Sequence, residues 1–597
     1  MRRRTVTERD ILPAFIGAHW PRYGRHVCVA AALALVTACA SPGPANAAPE
    51  AEPGSVFRPG DNIAGKYLAG RHAESIGDYA AAADLTRDVL KVLPEDESLL
   101  VRTHLLMISI GRVPEAVEIA RRIVERDQTD ALGNLTLGLA DLEAGKYDAA
   151  LASFDRLPLE RANRIVVPLL RAWTYAGKGD TTAALAALDT FNASGNFTVI
   201  AGLHGGMIAE LNGDDTAAAA AYARAAASAG DQVPLQIVRS FSRFLARTGR
   251  IDEAKALVAG FEKRNPSNLL VAPVRRALDS GTLPEPVAPT AQAGGGQALR
   301  AVADLLHRES GDNSALVFIR FALFLKPGDD SMLSLLAGVL NAQNRHDDAI
   351  AVLRSIDANS PYAWYGKLDI ANALRAKEKT DDAIALLREM VAERPERPEA
   401  ARALGDFLRF SERYKEAVDA YDTAIRRTVD APDWRLHYAR GIALERLKNW
   451  PPAEKDFLLA LQLEPDQPLV LNYLGYSWVE QGIKLAEAKA MIEKAVELRP
   501  RDGYVTDSLG WALYRLGDYA AAVKWLERAV LLVPGDATIN DHLGDAYWLV
   551  GRRQEANFQW HRALSLEPDS ELESKLRLKV DGKERPKLLP PGERRDI

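Results

Sequence analysis

Ten histidines and two cysteines are the residues of this 597-residue chain best suited to metal or nucleophilic chemistry. Neither set is spaced for it. His437, His542 and His561 fall in separate stretches at no ligand spacing, and they read as surface or packing residues. Cys28 and Cys39 both lie in the first 50 residues, so a chain processed there carries no disulfide and no thiolate metal site. The sequence has no H-E-x-x-H, no C-x-x-C and no phosphate loop, and Ser508 in D-S-L-G-W matches no nucleophile motif. The acid pairs Asp329-Asp330 and Asp347-Asp348 stand in turn-like sequence, where carboxylates cap helices. We therefore expect no enzyme, with no catalytic, cofactor-binding or metal residues. A net charge of −6 offers no basic face, so no nucleic-acid partner is expected. What remains is surface chemistry. Asn, Asp, Tyr and Trp are interleaved in the last third of the chain, where rings can supply buried area and amides or carboxylates can hold a partner's backbone.

Something must position those residues, and the chain has a period that can do so. Between Gly503 and Pro568, Gly510 recurs as Gly544, Ala522 as Ala556, Ala529 as Ala563 and Pro534 as Pro568, each shifted by 34. The glycine or alanine of the first position continues backward through Gly475, Gly441, Gly405, Ala371, Ala337 and Ala303. The alanine of the second continues through Ala488, Ala453, Ala417, Ala383, Ala349 and Ala315. Earlier, Ala82, Ala116, Ala150, Ala184, Ala218 and Ala254 keep the same phase, each just after a turn signal such as Gly77-Asp78-Tyr79. Glycine there supplies the positive φ that ends one helix, and the polar residue after it starts the next.

A helix-turn-helix unit of this period resembles the tetratricopeptide repeat (TPR). The fold implied is all-α: a TPR helix-turn-helix solenoid, wound as a right-handed superhelix, with about 14 repeats in two sub-arrays. An array of this kind has one core along its length, so chain length does not count domains. Counting the small residue of the first helix as position 8, the resemblance points positions 2, 5, 9 and 12 into a groove. In the last three repeats those positions supply Asn472, Tyr476, Tyr504, Asp507, Trp511, Tyr514, Asp541, Asp545 and Trp548 as the expected protein-binding groove. For Trp511 and Trp548, groove contact and packing between neighbouring helices are both open.

Outside the repeats, Arg2, Arg3, Arg4, Arg22 and Arg25 precede an apolar run from Val27 to Ala38, about the length of a signal-peptide core. The run ends in Val36-Thr37-Ala38-Cys39, which resembles the bacterial lipobox, and this implies lipidation at Cys39. Multiple acyl chains on one residue make a stable anchor. Cleavage after Ala45-Asn46-Ala47, giving a soluble periplasmic protein, is the alternative. Ala40 is not the aspartate that favours inner-membrane retention in such lipoproteins, so the periplasmic face of the outer membrane is the expected location, reached through the lipid anchor only. The expected organisation is 1–38 signal peptide of lipoprotein type, 39–60 flexible tether, 61–264 N-terminal array of about six repeats, 265–297 partial helix and linker, 298–569 C-terminal array of about eight repeats, and 570–597 capping helix and disordered tail. Thr282–Gln297, with three prolines and three consecutive glycines, reads as a flexible loop or hinge, or as a surface insertion. The helix from Ser570 to Val580 is expected to turn its charges to water.

A closer resemblance rests on LNYLGYSWVEQG, DSLGWALYRLGDYAAAVKWLERA and DHLGDAYWLVGRRQEA. These segments are similar to the C-terminal repeats of large outer-membrane TPR lipoproteins of proteobacteria. One such group, the LbcA type, binds a periplasmic carboxyl-terminal processing protease and presents substrates to it, among them cell-wall hydrolases. The resemblance implies a lipid-anchored adaptor for proteins or peptides. The competing expectation is a structural scaffold for an envelope machine such as a pilus, a secretion system or a polysaccharide exporter.

Overall fold

The computed structural model describes residues 62–160, 162–192, 197–266, 268–429 and 431–588. Cys39, the expected leader and the whole of the expected tether, 39–60, lie outside them. The described residues hold thirty α-helices and one 3-10 turn, and no strand among them. Twenty-eight of the helices form fourteen helix-turn-helix pairs, numbered here as repeats one to fourteen, and the chain is a TPR-type solenoid. Repeat one is Ile63–Ser75 with Tyr79–Val92, and repeat fourteen is Ala537–Leu549 with Arg553–Leu564. The remaining two helices are Ala272–Asp279, the partial helix expected after repeat six, and the capping helix Ser570–Val580.

The small-residue phase has a direct packing cause. All fourteen alanines that open second helices, from Ala82 to Ala556, are 0% exposed. At this depth a longer side chain has nowhere to go. The small residue of the first helix makes room for a large one sixteen positions later in its own repeat. A Cβ on Gly138 would sit 2.5 Å from the Phe154 ring, and one on Gly544 would sit 2.5 Å from Trp560. Turns follow the expected chemistry: Gly77 has φ +84°, and Asp78 caps the next helix by accepting from the Ala81 amide at 3.0 Å. Of the acid pairs, Asp329 caps its helix through the Ser331 and Met332 amides. Asp347 and Asp348 do not cap. They lie in the first turn of His346–Arg354 and pair with Lys377 and Arg345 instead, favoured there by the helix dipole.

The described chain divides into two compact units, one through Leu386 and one from Leu387. The division is therefore not at residues 265–297. The reason lies in the stretch expected as a flexible linker. Helix Ala291–Arg308, the first of repeat seven, begins at Thr290, whose hydroxyl accepts from the Ala293 amide. Its glycine triplet is buried, and the helix packs against Leu235–Arg247's predecessors in the chain: Asn163–Gly177 of repeat four, Thr198–Leu211 of repeat five and Ala131–Glu143 of repeat three. A Cβ on Gly294 would stand 2.2 Å from the Trp173 ring, and one on Gly295 would touch Leu142 at 3.0 Å. Here glycine serves close approach of two helices rather than freedom of the backbone. Repeats seven and eight and the first helix of repeat nine fall in the first unit with it.

Candidate functional site

In the second unit, the first helices of repeats twelve, thirteen and fourteen are Pro468–Gln481, Gly503–Leu516 and Ala537–Leu549. They bring the nine expected groove residues to neighbouring helices. At the centre is a stack of three rings. Trp511 lies 3.9 Å from His542 at 13° and 4.5 Å from Tyr514 at 7°. Its indole N–H donates to Glu480 Oε1 at 2.5 Å, and Glu480 is also held by Arg515 at 3.2 Å. Tyr476 is half-buried, and burial, with Glu480 and Asp507 nearby, raises its phenol pKa. Tyr504 is 39% exposed and Asn472 is half-buried, its side-chain oxygen without a hydrogen-bond donor. Trp511, Tyr514 and Trp548 are half-buried too, so each presents part of a ring to solvent while packing between neighbours.

The carboxylates behave differently from expectation. Asp507, Asp541 and Asp545 were read as open groove groups, and each is only 7% exposed. His542 Nδ1 lies 3.0 and 3.1 Å from the two Asp507 oxygens. Burial opposes a charge on His542, but Asp507, Asp541 and Asp545 outweigh it and raise its pKa. Lys579, in the capping helix, reaches Asp541 at 2.7 Å and Asp545 at 2.8 Å. Burial works against the lysine's charge, yet the two carboxylates hold its pKa above the ordinary value. Two acids share one ammonium, so burial and Asp541 together push Asp545 upward. Asp545 also accepts from the Trp560 indole at 3.0 Å.

The capping helix therefore turns a charge inward, against the expectation that its charges face water. Buried carboxylates need a cation more than the lysine needs solvent. The tail expected to be disordered also contributes. Arg585 lies over the Trp548 ring at 4.5 Å and the Trp560 ring at 5.0 Å; residues from 589 on are outside the described ones. His542, Lys579 and Glu480 were missed as participants. His542 falls at position 6, one turn from the groove positions, and Lys579 lies outside the repeats, where the 34-residue phase says nothing.

Replacing Lys579 with alanine leaves both carboxylates buried without a cation. We expect a loss of about 2 kcal/mol at pH 7.5 in chemical unfolding followed by tryptophan fluorescence. The loss should shrink at pH 5, where Asp545, its pKa raised, takes up a proton. An equal loss at both pH values would show that the ammonium acts by packing alone.

Among the described residues no group of three or more His, Cys, Asp or Glu is placed to hold a metal ion, and no helix is long and apolar enough to cross a membrane. A tetratricopeptide repeat family model matches residues 368–428, 408–468 and 479–537. The TPR repeat-containing protein PA4667 of Pseudomonas aeruginosa is 36% identical over 93 residues, 16% of this chain and 16% of that protein. The protein O-mannosyl-transferase Tmtc1 of Drosophila melanogaster is 35% identical over 65 residues, 11% of this chain and 8% of its own length. The matched stretches thus span a small part of either relative. Among solved structures, the Cut9–Hcn1 hetero-tetramer of the APC/C aligns over 87% of this chain and 96% of that one, at 14% identity and a TM-score of 0.37.

Proposed function

We propose that this chain, built from tetratricopeptide repeats, is a protein-binding scaffold whose second unit takes an extended peptide along repeats twelve to fourteen. One observation carries the reading: Trp511 is a half-buried ring held by Glu480 and stacked between His542 and Tyr514, and Tyr476, Tyr504 and Asn472 stand on the same and the neighbouring first helix. Rings fixed before binding lose little entropy when a peptide covers them. TPR solenoids generally mediate protein–protein contacts and are typically non-catalytic, which supports a binding role.

The finer reading is a lipoprotein anchored at Cys39, facing the periplasm from the outer membrane. It holds a carboxyl-terminal processing protease together with cell-wall hydrolases that the protease cleaves. Several weak sites along one array raise the local concentration of both partners. The test is affinity capture from detergent-solubilised envelopes with the full chain, its Trp511→Ala variant and a Cys39→Ala variant labelled with palmitate. A serine protease and cell-wall hydrolases should be retained by the native chain. Trp511→Ala should retain them at least about tenfold less well, as expected for loss of a central aromatic anchor, with an unchanged helical circular dichroism signal. Equal capture by both chains would sink the groove. Palmitate incorporation into Cys39→Ala would sink the anchor.

A further inference from the structure

The two ends of the array are finished differently. After repeat fourteen the capping helix Ser570–Val580 packs on Arg553–Leu564, and its Leu576 is 0% exposed. Repeat one has no such cover among the described residues. Its first helix, Ile63–Ser75, buries Gly70 and Ala73 and packs on Tyr79–Val92. Away from that contact Ala64, Leu68, His72 and Ile76 follow one another at intervals of four, so they form one stripe, and all four are exposed. Leu68 and Ile76 are each 66% exposed. Leu68 stands at position 6, two before the small residue Gly70. In the other thirteen repeats position 6 is buried or half-buried, as at Thr136, Ser240 and Ser508. A position that the array covers elsewhere is open here and carries a leucine, whereas the outer face of a terminal repeat has to be polar or covered.

The sequence that leads into this helix supplies a cover. Between Cys39 and Asn62, prolines aside, Val56 and Phe57 are the only apolar side chains larger than alanine. Pro59-Gly60, a turn signal, follows them, and Asn62 then caps the helix by accepting from the Gly65 amide at 2.5 Å. Phe57 is five residues before Asn62, a reach of about 17 Å. Leu68 is six residues after it, about 9 Å along the helix. A chain reversed at Pro59-Gly60 therefore carries Phe57 to Leu68 with slack, whereas Ile76, about 21 Å along, is out of range. A second copy fits less well. The open side of this 13-residue helix measures about 20 Å by 10 Å, on the order of 200 Å². Each partner of a stable dimer buries about 800 Å². A segment already joined to the helix gives up no translational freedom on docking, so a patch of this size is enough for it.

We propose that Val56 and Phe57 fold back on Ile63–Ser75 and cap repeat one, with the Phe57 ring against Ala64 and Leu68. The array then starts at Val56, and the tether ends before it, at Ser55. Cleavage at Cys39 and cleavage after Ala47 both leave this segment on the chain, so the cap is independent of how the chain is anchored. Nor does it rest on the peptide groove of the second unit.

Two measurements on the full-length chain test this. In the first, p-benzoylphenylalanine replaces Phe57 and is photocrosslinked in an equal mixture of unlabelled and isotope-labelled chains, with the products mapped by mass spectrometry. Crosslinks should fall between Ala64 and His72 and join residues of a single chain. Crosslinks between labelled and unlabelled chains would put a second copy on the stripe and overturn the proposal. Crosslinks confined to other helices, or none above background, would do the same. The second measurement is hydrogen exchange along Ile63–Ser75. Phe57→Ser and Leu68→Ser should each lower protection by about tenfold, and the double variant by no more than either alone, because both remove one contact. Ile76→Ser lies beyond the segment's reach, so its effect should add to that of Phe57→Ser. Leu68 and Ile76 are exposed, so their substitution leaves the core intact. Additive effects of Phe57→Ser and Leu68→Ser would show that the two side chains do not meet, and the cap would fall.

Discussion

Gly294→Val is expected to destabilise the first unit by about 3 kcal/mol or more, the upper range for overpacking a filled interior. The new Cβ alone would fall 2.2 to 2.3 Å from three atoms of the Trp173 ring. Trp173 cannot step aside, because it is fully buried and its indole N–H donates to His204 Nδ1 at 2.9 Å. The helix Ala291–Arg308 would have to back away from repeats three to five, and the contact that joins repeat seven to them would open. The matched control is Gly338→Ala. That glycine is also inside a helix, but its Cβ would meet only His307 Nε2 at 3.5 Å. There alanine should be neutral or stabilise by up to about 1 kcal/mol through helix propensity. Urea unfolding of both variants, with local opening followed by hydrogen exchange in Ala291–Arg308, decides the matter. If Gly294→Val unfolds like the control, the triplet is loop-like after all.

Acidification from pH 7 to pH 4 should cost the first unit on the order of 3 kcal/mol at each of two histidines. Burial lowers the pKa of His104 to about 4 and that of His204 to about 3, the latter helped by the nearby Arg300 charge. Both side chains are 1% exposed. Their folded pKa values lie below the unfolded value near 6.5. The unfolded chain therefore binds protons first, and stability falls as pH drops below about 6.5. Protonation of His204 would also remove the acceptor that fixes the Trp173 indole. His542 in the second unit has the opposite sign. Its folded pKa is raised, so its contribution is present below about 6.5 and lost as pH rises through the folded value. Hydrogen exchange read separately in the two units should show the first loosening at pH 4.5 while helices around His542 do not. His104→Gln with His204→Gln should flatten the response of the first unit. An acid response that survives that pair of substitutions would assign it to the carboxylates instead.

Most of the secondary structure was legible because the decisive contacts are local. Gly544 and Trp560 are sixteen residues apart, and Ala556 packs within its own repeat, so one 34-residue unit contains the reason for its own small residues. The same locality made Asp78 and Gly77 readable as a turn and cap. Of the candidate groove, the rings were placed on the right helices, because the phase that positions Gly510 also positions Trp511 and Tyr514. Their surroundings were not foreseen. Asp541 and Asp545 were taken as free because their cation, Lys579, sits 38 and 34 residues away in a helix that breaks the repeat pattern.

Taken alone, the order of amino acids established the period, the fourteen helix pairs, the partial helix and the cap, since each follows from side-chain volume and turn chemistry within a few dozen residues. Tertiary structure alone decided the meaning of Gly294 and Asp545. A glycine is a hinge or a close contact depending on whether Trp173 stands opposite. A carboxylate is open or sealed depending on whether an ammonium arrives from outside the array. Those are questions of which surfaces meet, and burial with charge pairing between distant segments answers them.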